Sequence, residues 1–326
     1  MSAPTMSTSM TPALSAPAKL AVAAVVAALL VAAPFGFYPV LLMKVMCFAL
    51  FACAFNLLPG YAGLLSFGHA MFFGGASYIC AHTIKEMGFP PEAGILAGTA
   101  FAAALGLVAG ALAIRRQGIY FAMVTLALAQ MFYFFCLQAP FTNGEDGIQG
   151  VERGTLLGLV DLSDDLTLYY VVAVIFVAGV ALIHRIVHSP FGQVLRAIRE
   201  NEPRAISLGY SVNRYKLVAF VLSAALAGLA GSTKVLVFQL ASLTDVYWTM
   251  SGEVVLMTIV GGMGTILGPA VGAAVIVMMQ NYLASFGEWV LVIQGCIFVL
   301  VVSVFRRGIV GEIKAAAERR RARREG

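Results

Sequence analysis

Apolar runs of roughly 16–24 residues follow one another from Lys19 to Phe305, and they do not alternate polar with apolar residues. That pattern decides the fold class before any motif is read. In lipid, backbone polar groups must be satisfied within the structure, so a spanning segment is either a helix or a strand of a closed barrel. Barrel strands are short and alternate; these runs do neither. Only 11% of the 326 residues are charged and 60% are hydrophobic, and the mean hydropathy is +0.90, far from the balance of a soluble globular chain. The reading is all-α: a polytopic membrane protein of about ten transmembrane helices, some short or broken.

Residues 1–18 are rich in Ser, Thr, Pro, Ala and Met without periodicity and read as a disordered tail. Lys19 to Phe37 reads as a retained first span rather than a cleaved leader. The run is long for a signal, the leader carries only one basic residue, and Pro34 sits where a cut would fall. Further spans are placed at Pro39 to Leu58, from Gly60 onward, Glu92 to Ile114, Gly118 to Gln138, Thr167 to Ile186 and Leu217 to Leu240. Gly252 to Gly264 (a short crossing), Thr265 to Phe286 and Glu288 to Phe305 complete a membrane unit over 19–305. Gly94–Gly98 and Gly106–Gly110, at four-residue spacing, suit close helix approach.

Two polar segments set the orientation. Residues 189–216 hold Arg196, Arg199, Arg204, Arg214 and Lys216 against Glu200 and Glu202, five minus two, a net charge of +3. Residues 141–166 hold six acidic residues against Arg153, a net charge of −5. The tail 306–326 carries eight basic residues against three acidic ones, again a net +5. Basic connections belong in the cytoplasm, so both termini are placed inside and the acidic segment outside. Ser189–Pro190 is a helix start, and Pro203 restarts a second short helix. Such pieces would lie along the membrane face, ready to meet a soluble partner; from charge alone a solvated connector fits equally well.

The stretch SPFGQVLRAIRENEPRAISLG followed by NRYKLVAFVLSAALAGLAG resembles the permease subunits of bacterial branched-chain amino acid ABC importers, the LivM type. NLLPGYAGLLSFGHAMFFGGASY, RRQGIYFAMVTLALAQ and SGEVVLMTIVGGMGTILGPAVGA resemble the same family, in order, from about Leu41 to Val304. The resemblance implies an ABC importer permease fold in a bacterial inner membrane. It implies a heterodimer with a second permease, two ATPase subunits, a periplasmic binding protein and an amino-acid cargo. It also implies that the basic segment docks on the ATPases, through Arg196, Arg199, Glu200, Glu202, Ala205 and Gly209. Of the importer pattern Glu-Ala-Ala, three residues, Gly, this chain matches only Ala205 and Gly209. Urea, short amides or other amino acids are alternative cargoes.

Two glycine-rich blocks, Gly60 to Gly75 and Gly261 to Gly272, interrupt apolar spans. Irregular backbone at membrane depth survives where protein buries it or where it lines a cavity, and intramembrane polar residues are functional candidates. Asn56, Ser66, Gly68, His69, Thr125, Gln130, Gly261, Gly262 and Gly264 are therefore candidates for a translocation path, with tight helix packing as the competing role. A lone buried histidine such as His69 is more often a hydrogen-bonded packing residue than a ligand contact. Lys44, Lys234 and Glu253 read as snorkelling or solvated groups near outer helix ends. Cys47, Cys53, Cys80, Cys136 and Cys296 lie in apolar runs and read as packing residues. His184 and His188 share a helix face but lack a third ligand. GLAGSTK (Gly228 to Lys234) lacks the order of a phosphate loop and lies in a span, so ATP hydrolysis is assigned to other subunits; no cofactor or metal is implied. A self-contained secondary transporter or channel is the rival class, and it finds no paired-carboxylate or proton-relay pattern in the spans.

Overall fold

The computed structural model describes residues 31–312 apart from 285, 286, 288 and 305–307. The tail at 1–18, most of the expected first span and most of the basic tail lie outside the described residues. Helices dominate. In chain order they are α1 (Pro39–Asn56), α2 (His69–Lys85), α3 (Pro91–Ala113), α4 (Ile119–Gln138), α5 (Asp165–His188), α6 (Pro190–Glu200) and α7 (Glu202–Ser207). α8 (Val212–Phe238), α9 (Trp248–Gly261), α10 (Gly268–Leu283) and α11 (Trp289–Val304) follow. Among the described residues, five helices are long and apolar enough to cross a membrane: Pro39–Ala62, α3, α4, α5 and α8. α2, α9, α10 and α11 have 17, 14, 16 and 16 residues. At 1.5 Å per residue they fall short of a hydrocarbon core of about 30 Å. The protein is an all-α polytopic membrane protein in which short and long helices are mixed.

Helix starts follow from local chemistry. Pro stands in the first turn of α1, α3, α6, α7 and α10, where its missing N–H is not needed. Asp164, Ser189 and Asn201 cap α5, α6 and α7 by accepting from Thr167, Gly192 and Arg204 backbone N–H groups.

α1 and α8 form the centre. α8 packs against α1, α2 and α3, while α1 also packs against α5 and α10. Between hydrocarbon-facing helices there is no hydrophobic driving force, so close packing and hydrogen bonds must hold the bundle. Glycines provide the closeness. A methyl group on Gly98 would overlap Ser232, one on Gly106 would overlap Ala224, one on Gly228 would overlap Ala102, and one on Gly231 would overlap the Phe73 carbonyl. The four-residue glycine spacing of α3 is thus a seam against α8 and α2. Around it Phe51 and Phe73 stack with centroids 4.5 Å apart.

Four two-residue strands break the all-helical pattern: β1 (Ile148–Gln149), β2 (Thr155–Leu156), β3 (Val160–Asp161) and β4 (Leu240–Ala241). β1 pairs antiparallel with β4, Ile148 opposite Ala241, and β2 with β3, Thr155 opposite Asp161. Arg153 donates to the carbonyls of Leu236 and Val237 and bridges Asp165 at 2.6 Å. The acidic segment is therefore clamped over the end of α8. At the opposite end, the basic segment folds as the α6–α7 pair.

Several span boundaries shift by a few residues from the sequence reading, and the third span shifts most. The helix expected from Gly60 begins only at His69, and Leu57–Ala62 instead prolongs α1 as a π-helix. Pro59 lacks a ladder N–H and its ring crowds the turn before it, which a widened turn relieves. Gly63, at φ 72°, then ends the helix in the left-handed region.

Candidate functional site

The two glycine-rich blocks meet. Asn56, in the last turn of α1, donates through Nδ2 to the Thr265 carbonyl at 2.8 Å, and its Oδ1 accepts from the Gly264 N–H at 3.1 Å. One side-chain amide thus closes the loop between α9 and α10 onto the end of α1. Gly262 and Gly264 hold φ of 114° and 78° there. Gly261 lies where α9 and α10 touch, and a methyl on it would overlap the Gly268 carbonyl.

The irregular segment before α2 has its polar groups answered by hydroxyls. Thr125 Oγ1 of α4 accepts from Phe67 N–H at 3.2 Å, Ser66 Oγ from Gly68 N–H at 3.2 Å, and Ser251 Oγ of α9 from Ala70 N–H at 2.9 Å. Gly68 itself admits the Thr125 carbonyl, which a methyl would meet at 2.6 Å. His69 is fully buried. Its Nδ1 lies 3.1 Å from Ser66 Oγ and its Nε2 2.9 Å from Ser223 Oγ, and Ser223 donates to the Ala54 carbonyl at 2.6 Å. Phe55, Phe72 and Phe220 present edge-to-face contacts to its ring. His69 therefore pins α1, α2 and α8 together at the break. Gln130 is half-buried on α4, and its amide nitrogen is enclosed without a hydrogen-bond partner among the described residues.

At the basic end, α6 lies with Gly192, Leu195 and Ile198 buried. Arg196 stands 5.3 Å over the Tyr61 ring. Arg199 Nη1 donates to the Gly60 carbonyl, and Glu200 is exposed. Ala205 packs with Ile198 and Val212. α7 ends in a Schellman motif: Tyr210 N–H bonds the Ala205 carbonyl at 3.2 Å, Gly209 N–H bonds the Ile206 carbonyl at 2.9 Å, and Gly209 has φ 88°. Beside that turn Ile206 is 58% and Leu208 69% exposed. Glu202 is engaged within the chain. It bridges the buried Lys216 at 2.8 Å and accepts from Gln117 at 3.0 Å, tying α7 to α8 and to the α3–α4 turn.

A model of the family described as branched-chain amino acid transport system / permease component matches residues 37–302. The chain belongs to that family. It is 28% identical over 284 residues, 78% of its length, to the high-affinity branched-chain amino acid transport system permease protein LivM of Escherichia coli; the match covers 66% of that relative. The probable branched-chain amino acid transport permease protein LivM of Methanocaldococcus jannaschii is 24% identical over 69% of this chain and 75% of its own. The ribose import permease protein RbsC of E. coli is 25% identical over 64% of this chain and 67% of its own. No solved structure gives a significant match.

Several groups in this chain stand differently from the sequence reading. Lys234 is not solvated: it is buried and ion-paired with Asp245, itself held by a capping box with Ser242. No local pattern in the sequence announces Asp245 as its partner. Lys44 and Glu253 are half-buried, not free at the surface. Cys296 is exposed, whereas Cys47, Cys53, Cys80 and Cys136 are buried. His184 and His188 stack with centroids 4.1 Å apart, and no group of three metal-ligating side chains forms among the described residues. Gly228 to Lys234 lies inside α8 and forms no loop. Ser223 and Ser251 escaped the sequence reading, because a hydroxyl in an apolar run carries no signal until the fold sets a backbone group opposite it.

Proposed function

We propose that the chain is the membrane-spanning permease subunit of an ABC importer for branched-chain amino acids in a bacterial inner membrane, with ATP hydrolysed by partner subunits. Beyond family membership, one observation carries the reading: the α6–α7 pair, whose tip presents Ile206 and Leu208 to solvent between Arg204 and Gly209. An apolar tip rimmed by charge at a membrane face fits a soluble protein partner better than water. In this reading two ATPase subunits dock below, a periplasmic binding protein docks above the acidic segment, and a second permease completes the membrane pair. The positive-inside rule then places 189–216 and both termini in the cytoplasm.

The cargo path is proposed along the two helix breaks, where Gly63, Leu65 and Met263 are exposed. His69, Ser66, Thr125, Asn56, Gly68, Gly261, Gly262 and Gly264 build its wall, and Gln130 holds an enclosed, unpartnered amide that movement of α4 would expose to a cargo carboxylate. Arg196, Arg199, Glu200, Ala205 and Gly209 carry motion from the docked ATPases, and Glu202 braces that segment from within. Binding of ATP must favour one arrangement of the docked segment, since a ligand shifts an equilibrium only by its differential affinity.

Affinity purification of the tagged chain from its native membrane tests the assembly, and reconstitution tests the cargo. The expected result is recovery of a second permease and ATPase subunits, with ATP-dependent uptake of leucine, isoleucine and valine. Uptake of urea or short amides alone would reassign the cargo. Recovery of the chain alone, moving solute without ATP, would overturn the proposal.

A further inference from the structure

We propose that Arg199 is a latch between the amphipathic helix α6 and the paired helix breaks, so that its hydrogen bond to Gly60 ties ATP hydrolysis to opening of the path. The inference rests on the importer reading and adds to it the residue through which movement of α6 reaches the membrane interior.

The observations form a continuous chain. Arg199 leaves α6 in its last turn, and its guanidinium caps the Gly60 carbonyl in the π-helical end of α1. Carbonyls at a helix C-terminus lack partners and favour a cation. The Arg199 stem lies against Gly63, where a methyl group would meet its Cγ at 3.1 Å. Gly60 in turn touches the second break: a methyl on it would meet Gly264 N at 2.9 Å and would also strike the Asn56 side chain. Asn56 binds the backbone of Gly264 and Thr265. The linkage therefore runs from α6 through Arg199 to the end of α1, and from there through Asn56 to the loop joining α9 and α10.

Three features make this a latch rather than a fixed strut. The guanidinium borders a cleft of about 490 Å³ lined by Gly60, Tyr61, Arg196, Arg199, Glu200 and Gly264, so a second position is open to it. Glu200, the next residue, offers a carboxylate on that cleft. Glycines occupy Gly60, Gly63 and Gly264, so both breaks keep the backbone freedom a moving joint requires. Arg196 over Tyr61 adds a second, weaker hold on the same turn of α1. Pulling α6 outward would break the Arg199–Gly60 bond and release the end of α1 from it.

The test uses the assembled transporter in liposomes, with uptake and ATP hydrolysis measured on the same preparation. Arg199→Ala is expected to assemble, and its uptake per ATP hydrolysed should fall at least tenfold below the wild-type ratio. Arg199→Lys, which keeps a donor, should recover part of that ratio. Gly63→Ala pushes on the arginine stem without removing the guanidinium, and it should lower the ratio in the same direction. A purely structural role would lower uptake and hydrolysis together and leave their ratio unchanged; that result in Arg199→Ala, or full uptake by it, would overturn the latch. Failure of the wild-type complex to couple uptake to ATP would reject the importer reading, and the latch with it.

Discussion

The buried pair Lys234–Asp245 supports a quantitative prediction. Lys234 is 8% and Asp245 2% exposed, so each ion has surrendered most of its water. Unit charges 4 Å apart at an effective dielectric of 20 attract by about 4 kcal/mol, and losing one partner of a buried pair costs about 3–5 kcal/mol. Lys234→Met leaves the Asp245 carboxylate with only its Ser242 cap; the expected loss is about 3–5 kcal/mol. Asp245→Asn keeps that cap and an amide oxygen for Lys234, so its loss should fall at the lower end. The double variant removes both charges and should lie within about 1–2 kcal/mol of wild type, because well-packed neutral replacements of buried pairs are often nearly neutral. The assay is unfolding in mixed micelles against rising SDS, read as a double-mutant cycle. Single losses below about 1 kcal/mol, or additivity within about 0.5 kcal/mol, would refute the reasoning.

Asn56→Leu strips two hydrogen bonds and leaves the partly buried Gly264 N–H and Thr265 carbonyl without that partner; about 1–3 kcal/mol of stability should be lost by the same unfolding assay. Glu202→Gln leaves the buried Lys216 without its counter-charge, and a loss of about 1–3 kcal/mol is expected there. Gly231→Val drives a side chain into the Phe73 carbonyl at the α2–α8 contact; the yield of monodisperse protein on size exclusion should collapse, while Gly252→Ala, with open space around it, should keep it. Gly209→Ala has room for its methyl but holds φ 88°, so it should cost about 1–2 kcal/mol of local strain. Gly209→Trp, which also blocks the exposed tip, should cut recovery of the ATPase subunits in affinity purification.

Much of this architecture was legible in the chain itself. Unbroken apolar runs admit only helices in lipid, and their ends are marked by Pro39, Pro91, Ser189 and Pro190. The glycine spacing of Gly94–Gly98 and Gly106–Gly110 foretold close packing, and the basic segment foretold two short helices on one face. What was illegible shares a single cause: it depends on residues distant in sequence. His69 and Ser223 are 154 positions apart, and Asn56 and Thr265 are 209 apart. Glu202 was expected to face a docked partner, whereas it is paired within the chain with the buried Lys216.

The sequence by itself determined that the chain is helical, membrane-spanning and interrupted at two glycine-rich places, because period, length and backbone freedom are local properties. Only the tertiary structure decided which helices are central. α1 and α4 are both strongly apolar, yet 72% of the apolar window of Pro39–Ala62 is buried inside the protein and only 28% of that of α4. Lipid and protein interior are equally apolar surroundings for a side chain, so hydropathy does not distinguish them. The contacts that do are steric fits and backbone hydrogen bonds, and these exist only once the helices have met.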